Sequence, residues 1–277
     1  MVERFDIVLN TPAGPLSSAL DVPTGFVPIT AIVPAMRRLG EEAERLEERR
    51  AAEAGRTISC RMGCAACCRM LVPLSPPEAF ALKDYVDSLP ADRRHRIAQR
   101  MTETKQHLKE HGLLDQLSAV AEGTETHSDE DFEPLNRAYY SRRMPCPFLE
   151  QEMCSIYEAR PAACRELLVT SPAEWCQDLV NNPVQPIPVP IRMGSALGLL
   201  WGELTQSAPR LIPLPIAIDW AERHQEENQP RWQGTALFDQ ALDKIWRLLS
   251  QAFQEAGKPA DSSQLDMHRD EPMKRSD

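Results

Sequence analysis

All eight cysteines of the chain lie between Cys60 and Cys176, and the long stretches on either side contain none. They fall into two groups. The first is a compact run, Cys60-Arg-Met-Gly-Cys64-Ala-Ala-Cys67-Cys68, and the second is spread out over Cys146, Cys154, Cys164 and Cys176, with gaps of seven, nine and eleven residues. Helical periodicity would put Cys60, Cys64, Cys67 and Cys68 on one face, because positions three and four apart are neighbours on a helix. Such a concentration of thiols is the pattern of a metal site, and it requires the chain to fold so that two distant stretches meet.

Two other uses of eight cysteines compete with this reading. Disulfides belong to oxidising compartments. The amino terminus, Met1 to Asn10, has no basic stretch followed by an apolar run, so no secretory signal is read and the cytoplasm is the expected compartment. The adjacent pair Cys67-Cys68 also suits a disulfide framework poorly and a metal site well. The chain of 277 residues is long enough to bury a real core, so metal is not its only expected source of stability.

Charge and hydropathy exclude further classes. A net charge of -10 and a pI near 5.2 speak against attraction to phosphate backbones, so no nucleic-acid partner is expected. The longest apolar stretches, Ser195 to Trp201 and Leu211 to Ile218, are too short for a membrane-spanning helix. No membrane partner is expected either.

The remaining pattern is mainly helical. Phe5 to Leu9 and Leu16 to Val22 alternate around a turn-forming stretch, Asn10 to Pro15, and read as an amino-terminal β-hairpin. From about Val33 to Ala54 the apolar stripe Met36, Leu39, Ala43 and Leu46 predicts a helix, with Glu41 and Arg45 paired on a charged, solvated face and Gly55 ending it. Ser75-Pro-Pro-Glu78 has the form of a capping box opening a helix to about Leu89. Ala91 to Gly112 is helix-prone, and Glu122 to Glu133 reads as an acidic connector. Asn181 to Pro190 is too rich in proline for helix and reads as an extended linker. Helices are expected again at Ile191 to Thr205 and Ile216 to Glu227. A last amphipathic helix carries Phe238, Ala241, Leu242, Ile245, Leu249 and Phe253, with Trp246 expected in the core, and a disordered tail is expected from Gly257.

The expected organisation is therefore an amino-terminal hairpin and helix over 1-57, a cysteine-cluster domain over 58-180, a carboxy-terminal helical region over 191-256 and the tail 257-277. The fold class is mainly α, a helical domain around a cysteine metal-binding centre.

Thiolates taken four to a metal suit tetrahedral zinc, and the same soft donors suit iron-sulfur clusters. Eight thiolates around two divalent ions would carry a net charge of about -4, which is costly to bury without cations nearby. Arg61 and Arg69 flank the first group, and Arg160 and Arg165 bracket Cys164. Pro161 favours a helix start that would place Cys164 in a first turn, where a thiolate is stabilised. The six histidines do not cluster with the cysteines. His107 and His111 share a face at i,i+4 but have no recognisable partner and read as surface residues.

The segments Ile58 to Arg69, Cys146-Pro-Phe-Leu149, Cys154-Ser-Ile-Tyr157, Arg160-Pro161 and Cys164-Arg165 closely resemble the YkgJ-like cysteine-cluster family, whose pattern is a CxxCxxCC run followed by CPFL and C-x-IY-x-x-RP-x-x-CR. One departure is visible, in that three residues separate Cys60 from Cys64 where the family has two; Cys176 lies beyond the core pattern. The resemblance implies chelation of zinc or iron, an iron-sulfur centre of the 4Fe-4S kind included, and metal ions as partners. The metal ligands expected are Cys60, Cys64, Cys67, Cys68, Cys146, Cys154, Cys164 and Cys176. No catalytic residue is named.

The alternatives are an iron-sulfur enzyme or redox protein, a metal-delivery protein and, more distantly, a protein-modifying methyltransferase, since a related cluster occurs in flagellin lysine methylases. Against methyl transfer stands the lack of a glycine-rich loop after a strand. The spacing of Cys60, Cys64 and Cys67 also resembles the radical SAM motif, but the chain lacks the alternating strands and helices of a βα barrel.

Overall fold

The structure is a computed structural model that describes residues 1–123, 129–179 and 181–256. It is mainly helical with an amino-terminal β-hairpin. Strands β1 (Val2–Thr11) and β2 (Gly14–Pro23) pair antiparallel, with Leu9 opposite Leu16 and Ile7 opposite Ser18. Alternation decides which face is buried: Ile7, Leu9, Leu16, Ser18, Leu20 and Val22 point inward, and the residues alternating with them along each strand point away from the core. The hairpin lies on helix α1 (Val33–Glu53) and on the last helix of the chain.

Helix α1 buries Val33, Met36, Leu39, Gly40 and Ala43, and the chain leaves it through Gly55 in the left-handed region at φ 73°. Two-residue strands then act as clips. They are β3 (Phe26–Val27), β4 (Pro73–Leu74), β5 (Leu149–Glu150), β6 (Met153–Cys154), β7 (Ile212–Pro213) and β8 (Trp232–Gln233), paired β3 with β8, β4 with β7 and β5 with β6.

Helix α2 (Pro76–Ser88) is the central element, packed against α7 (Met193–Thr205) and α8 (Ala217–Arg223). Its Phe80 lies between the buried rings of Trp201 and Trp220, with centroids at 5.7 and 5.2 Å. Around it run α3 (Ala91–Glu110), α4 (Leu114–Glu122), α5 (Asp129–Ser141) and the single turn α6 (Ala163–Glu166). Helix α9 (Gly234–Ala256) closes the core with Phe238, Ala241, Ile245 and Leu249 fully buried, the three larger side chains each contributing about 1.5–3 kcal/mol. Its first residue must be glycine, because a Cβ there would stand 2.0 Å from the carbonyl oxygen of Pro23.

Several expectations are corrected. Cys60 to Ala66 do not lie on a helix: the chain makes turns and coil there, with Gly63 at φ 86°, and only Cys67–Arg69 forms a 3₁₀ turn. The helical face expected for the first cysteine group does not exist. Trp246 is exposed, since it follows Ile245 by one residue and so stands about 100° away from the buried stripe. Asn181 to Pro190 is extended but not a free linker, because Val184 and Ile187 are buried and Ile187 donates to the carbonyl of Leu168 at 2.9 Å. Within the expected acidic connector, the chain is helical from Asp129, while residues 124–128 and the expected tail from Gly257 lie outside the described residues. Among the described residues no helix is long and apolar enough to cross a membrane.

Candidate metal centre

The two cysteine groups are brought together by backbone hydrogen bonds. Ser59 donates from its amide to the carbonyl of Val169 at 2.9 Å and from its hydroxyl to the carbonyl of Ser171 at 2.5 Å. Beside it, the amide of Val169 donates to Sγ of Cys60 at 3.3 Å. At the other end of the run the amide of Cys146 donates to the carbonyl of Cys68 at 2.7 Å. The run from Cys60 to Cys68 is thus held between the segment that carries Cys146 and Cys154 and the segment after Cys164. All eight cysteines are free thiols.

Each segment is shaped locally. Gly63 allows the turn in which Cys64 donates to the carbonyl of Arg61 at 2.9 Å. Cys154 sits on the β5–β6 hairpin opposite Leu149, and the turn residues Gln151 and Glu152 are both left-handed, at φ 50° and 59°. A bidentate ion pair from Arg69 to Glu152, at 3.1 and 2.7 Å, ties that strained turn to the first cysteine run. Arginines of α3 grip the same segment: Arg100 Nε donates to the carbonyl of Pro147 and Arg93 to that of Ser155, both at 2.6 Å. A small apolar cluster of Ala66, Val169, Cys176 and Val184 lies under the other side, with Cys60 packed against it.

Electrostatic coupling follows this geometry. Cys176 senses Cys60, Cys64 and Cys67, and Cys60 senses Cys64 and Cys67. Cys164 senses Cys146, Cys67 and Cys154, while Cys68 senses Cys67, Cys146 and Cys164. The adjacent pair Cys67-Cys68 therefore stands where the two sets meet.

Burial is the leading influence on most of these thiols. It pushes Cys146 up to about 12, Cys176 up to about 11, and Cys164, Cys60 and Cys154 above the usual thiol range. Cys67 is the exception, pulled down to about 7 because the thiol of Cys68 hydrogen-bonds to its sulfur, which in turn holds the Cys68 proton in place. Cys164 lies in the first turn of the one-turn helix α6, as expected, and burial there raises its thiol.

The flanking arginines divide. Arg160 lies within electrostatic reach of Cys67, Cys154 and Cys164, and its guanidinium stacks 3.7 Å from the Tyr157 ring centre. Arg165 turns to Glu41 of α1 and to the carbonyls of Glu158 and Arg160, so it ties α1 to the cysteine segment. The face of α1 that carries Glu41 and Glu44 is accordingly not simply solvated. Missing from the sequence reading were Arg93, Arg100 and Arg37, whose positions on α1 and α3 give no local signal. His107 is exposed and borders a cleft that Cys146 also lines, His111 is half-exposed, and His224 stacks on Trp220 at 4.4 Å and bonds Glu122 at 2.9 Å.

The donors suit soft metals. Eight sulfur atoms in two electrostatically coupled sets, with arginines around them, match the ligand chemistry of zinc and iron. Among the described residues no three cysteine, histidine or carboxylate side chains are already arranged as a coordination cage. A cavity of about 550 Å³, bordered by Met62, Arg100, Glu150, Met153 and Cys154, opens beside the second set.

No curated protein and no solved structure matches the chain. Residues 59–179, the segment that carries all eight thiols, match the model of the CxxCxxCC family, described as a "putative zinc- or iron-chelating domain".

Proposed function

We propose that this protein chelates zinc or iron through two four-thiol sites, Cys60, Cys64, Cys67 and Cys176 forming one and Cys68, Cys146, Cys154 and Cys164 the other. The observation that carries this reading is the clipping of the cysteine segments to one another by backbone hydrogen bonds, Ser59 to Val169 beside Cys60 and Cys146 to Cys68. The grouping follows the reach of Cys176 to Cys60, Cys64 and Cys67 and of Cys164 to Cys146 and Cys154, with Cys67 within reach of both sets. Four thiolates per ion close the coordination shell, which favours a structural role over zinc catalysis, since catalysis needs an exchangeable position. A reducing, cytoplasmic setting keeps such thiols available. On binding, each thiol releases its proton to solvent as its sulfur joins the metal.

A second reading is favoured by the cavity that opens to solvent beside Cys154. In that reading the thiols hold an iron-sulfur centre with redox or enzymatic work to do. Anaerobic purification followed by metal and acid-labile sulfide analysis tests both. Colourless protein with about two zinc per chain supports the first; brown protein with stoichiometric sulfide supports the second; a chain that retains no metal and takes up none on reconstitution overturns both.

A further inference from the structure

Helix α3 ends in a histidine pair that the thiol sites do not use. His107 in its last turn and His111 at its cap are four residues apart, so they share one edge of the helix, and their rings stand 4.5 Å apart between centres. Nδ1 of His111 lies 2.8 Å from the carbonyl oxygen of His107. A carbonyl can only accept, so Nδ1 carries the proton and Nε2 of the neutral ring keeps its lone pair, the arrangement that orients a histidine for metal ligation. Zinc bonds imidazole nitrogen at about 2.0–2.1 Å, which places two ligating nitrogens roughly 3–3.5 Å apart, a span that rings this close reach by side-chain rotation. The pair also sits at the carboxyl end of α3, where the helix dipole favours a cation.

His107 borders a cleft of about 250 Å³ whose walls include Glu103, one turn back on the same face of α3, and Cys146 of the second thiol set. Glu103 is exposed and accepts from Gln99 at 2.9 Å through one oxygen. The cation on that wall, Arg100, is already engaged, by the carbonyl of Pro147 and by Glu150, each at 2.6 Å. Among the described residues no third cysteine, histidine or carboxylate completes a cage with the pair. Two nitrogens with water in the remaining positions make an exchangeable site, unlike a closed four-thiol site. We propose that His107 and His111 form a separate, labile site for zinc(II) or iron(II), which collects the ion at the mouth of the Cys146 cleft, ahead of the second thiol set. The collecting role rests on the metal-binding reading above; the histidine site itself does not, because its ligands belong to neither thiol set.

The test uses the full chain and its His107→Ala and His111→Ala variants. After loading with zinc(II) and removal of loosely held metal by a competing chelator, calorimetric titration with zinc(II) should show one further, weak equivalent in the unaltered chain and none in either variant. Stopped-flow uptake of zinc(II) by the metal-free chain should be slowed about tenfold in both variants, the low end of the gain from concentrating an ion at a cleft, with the chelator-resistant content unchanged. Because both histidines lie at the surface, thermal unfolding of the metal-free variants should match that of the parent, which separates a lost site from a lost fold. A weak equivalent retained in either variant overturns the histidine site, and its loss with uptake unchanged overturns the collecting role. A chain that shows the histidine-dependent weak equivalent but holds no chelator-resistant metal overturns the thiol reading and leaves the histidine site standing.

Discussion

The carboxylate of Glu78, in the first turn of α2, accepts the amide hydrogen of Ala162 at 2.8 Å, two residues before Cys164. Its other oxygen accepts from the amide and the hydroxyl of Ser75 at 3.1 and 2.9 Å, so one fully buried side chain caps the central helix and fixes the approach to a cysteine. Glu78→Ala should destabilise the chain by about 2–4 kcal/mol, the scale expected when a cap and a buried charge-assisted bond are lost together. Glu78→Gln, which keeps one accepting oxygen, should fall between. Denaturant unfolding checks both, and a Glu78→Ala protein within 0.5 kcal/mol or so of the parent would contradict the role given to this residue.

That residue also shows how far the sequence was readable. Ser75-Pro-Pro-Glu78 announces its helix because capping is local chemistry, and the observed α2 starts at Pro76 as expected. The hairpin and α9 were readable for the same kind of reason, since period-two and three-to-four-residue patterns report which face is buried. The second contact of Glu78, to Ala162, carries no sequence signal, and neither does the pairing of Arg165 with Glu41. Both depend on how helices pack, which spacing along one chain does not encode. The first cysteine run misled for a related reason: its helical spacing was real, but the left-handed Gly63 and the pairing of Ser59 with Val169 and Ser171 decided the backbone instead.

Serine replacements should sort the thiols into their sets. If Cys60 and Cys176 share one ion and Cys146 and Cys164 the other, Cys60→Ser and Cys176→Ser should each lose about half of the bound metal, and the double variant should lose no more than either single one. Combining Cys176→Ser with Cys164→Ser should remove nearly all of it. Metal content by atomic emission across this cycle reads the grouping directly, and a Cys60→Ser, Cys176→Ser double variant that loses all its metal would mean one shared centre.

Metal removal should loosen the middle of the chain before the rest. The segments 58–74 and 144–187 hold the thiols; Met144, Phe148, Ile156 and Ala162 of the second reach the main apolar core that α2, α7 and α9 share, but the first cysteine run is joined to its neighbours by isolated backbone bonds, such as Cys146 to Cys68. Binding energies of structural zinc sites are on the order of 10 kcal/mol, enough to order a region of this kind. Hydrogen exchange after chelation should therefore show lost protection at Cys68 and Cys146 and near-complete protection at Phe80, Leu200 and Phe238. Uniform loss across the chain would show that the helical core depends on metal as well.

The stability of the metal-free chain should also carry a pH dependence from Glu44. Partial burial on α1 outweighs the opposing charge of Arg165 and raises this carboxyl from 4.5 to about 7. A folded value above the unfolded one means that the folded state holds the proton more tightly. The stabilisation is fully present below pH 4.5, declines as pH rises through about 7 and is absent above it. Because the side chain is partly exposed, screening reduces the effect to about 1–2 kcal/mol. Glu44→Gln cannot ionise, so the difference in stability between variant and parent should grow between pH 4.5 and 7 in favour of glutamine and stay level beyond. Urea midpoints measured in parallel on the two metal-free proteins isolate this group from all the others that titrate, and a constant difference across that range would show that Glu44 is ionised normally in the folded chain.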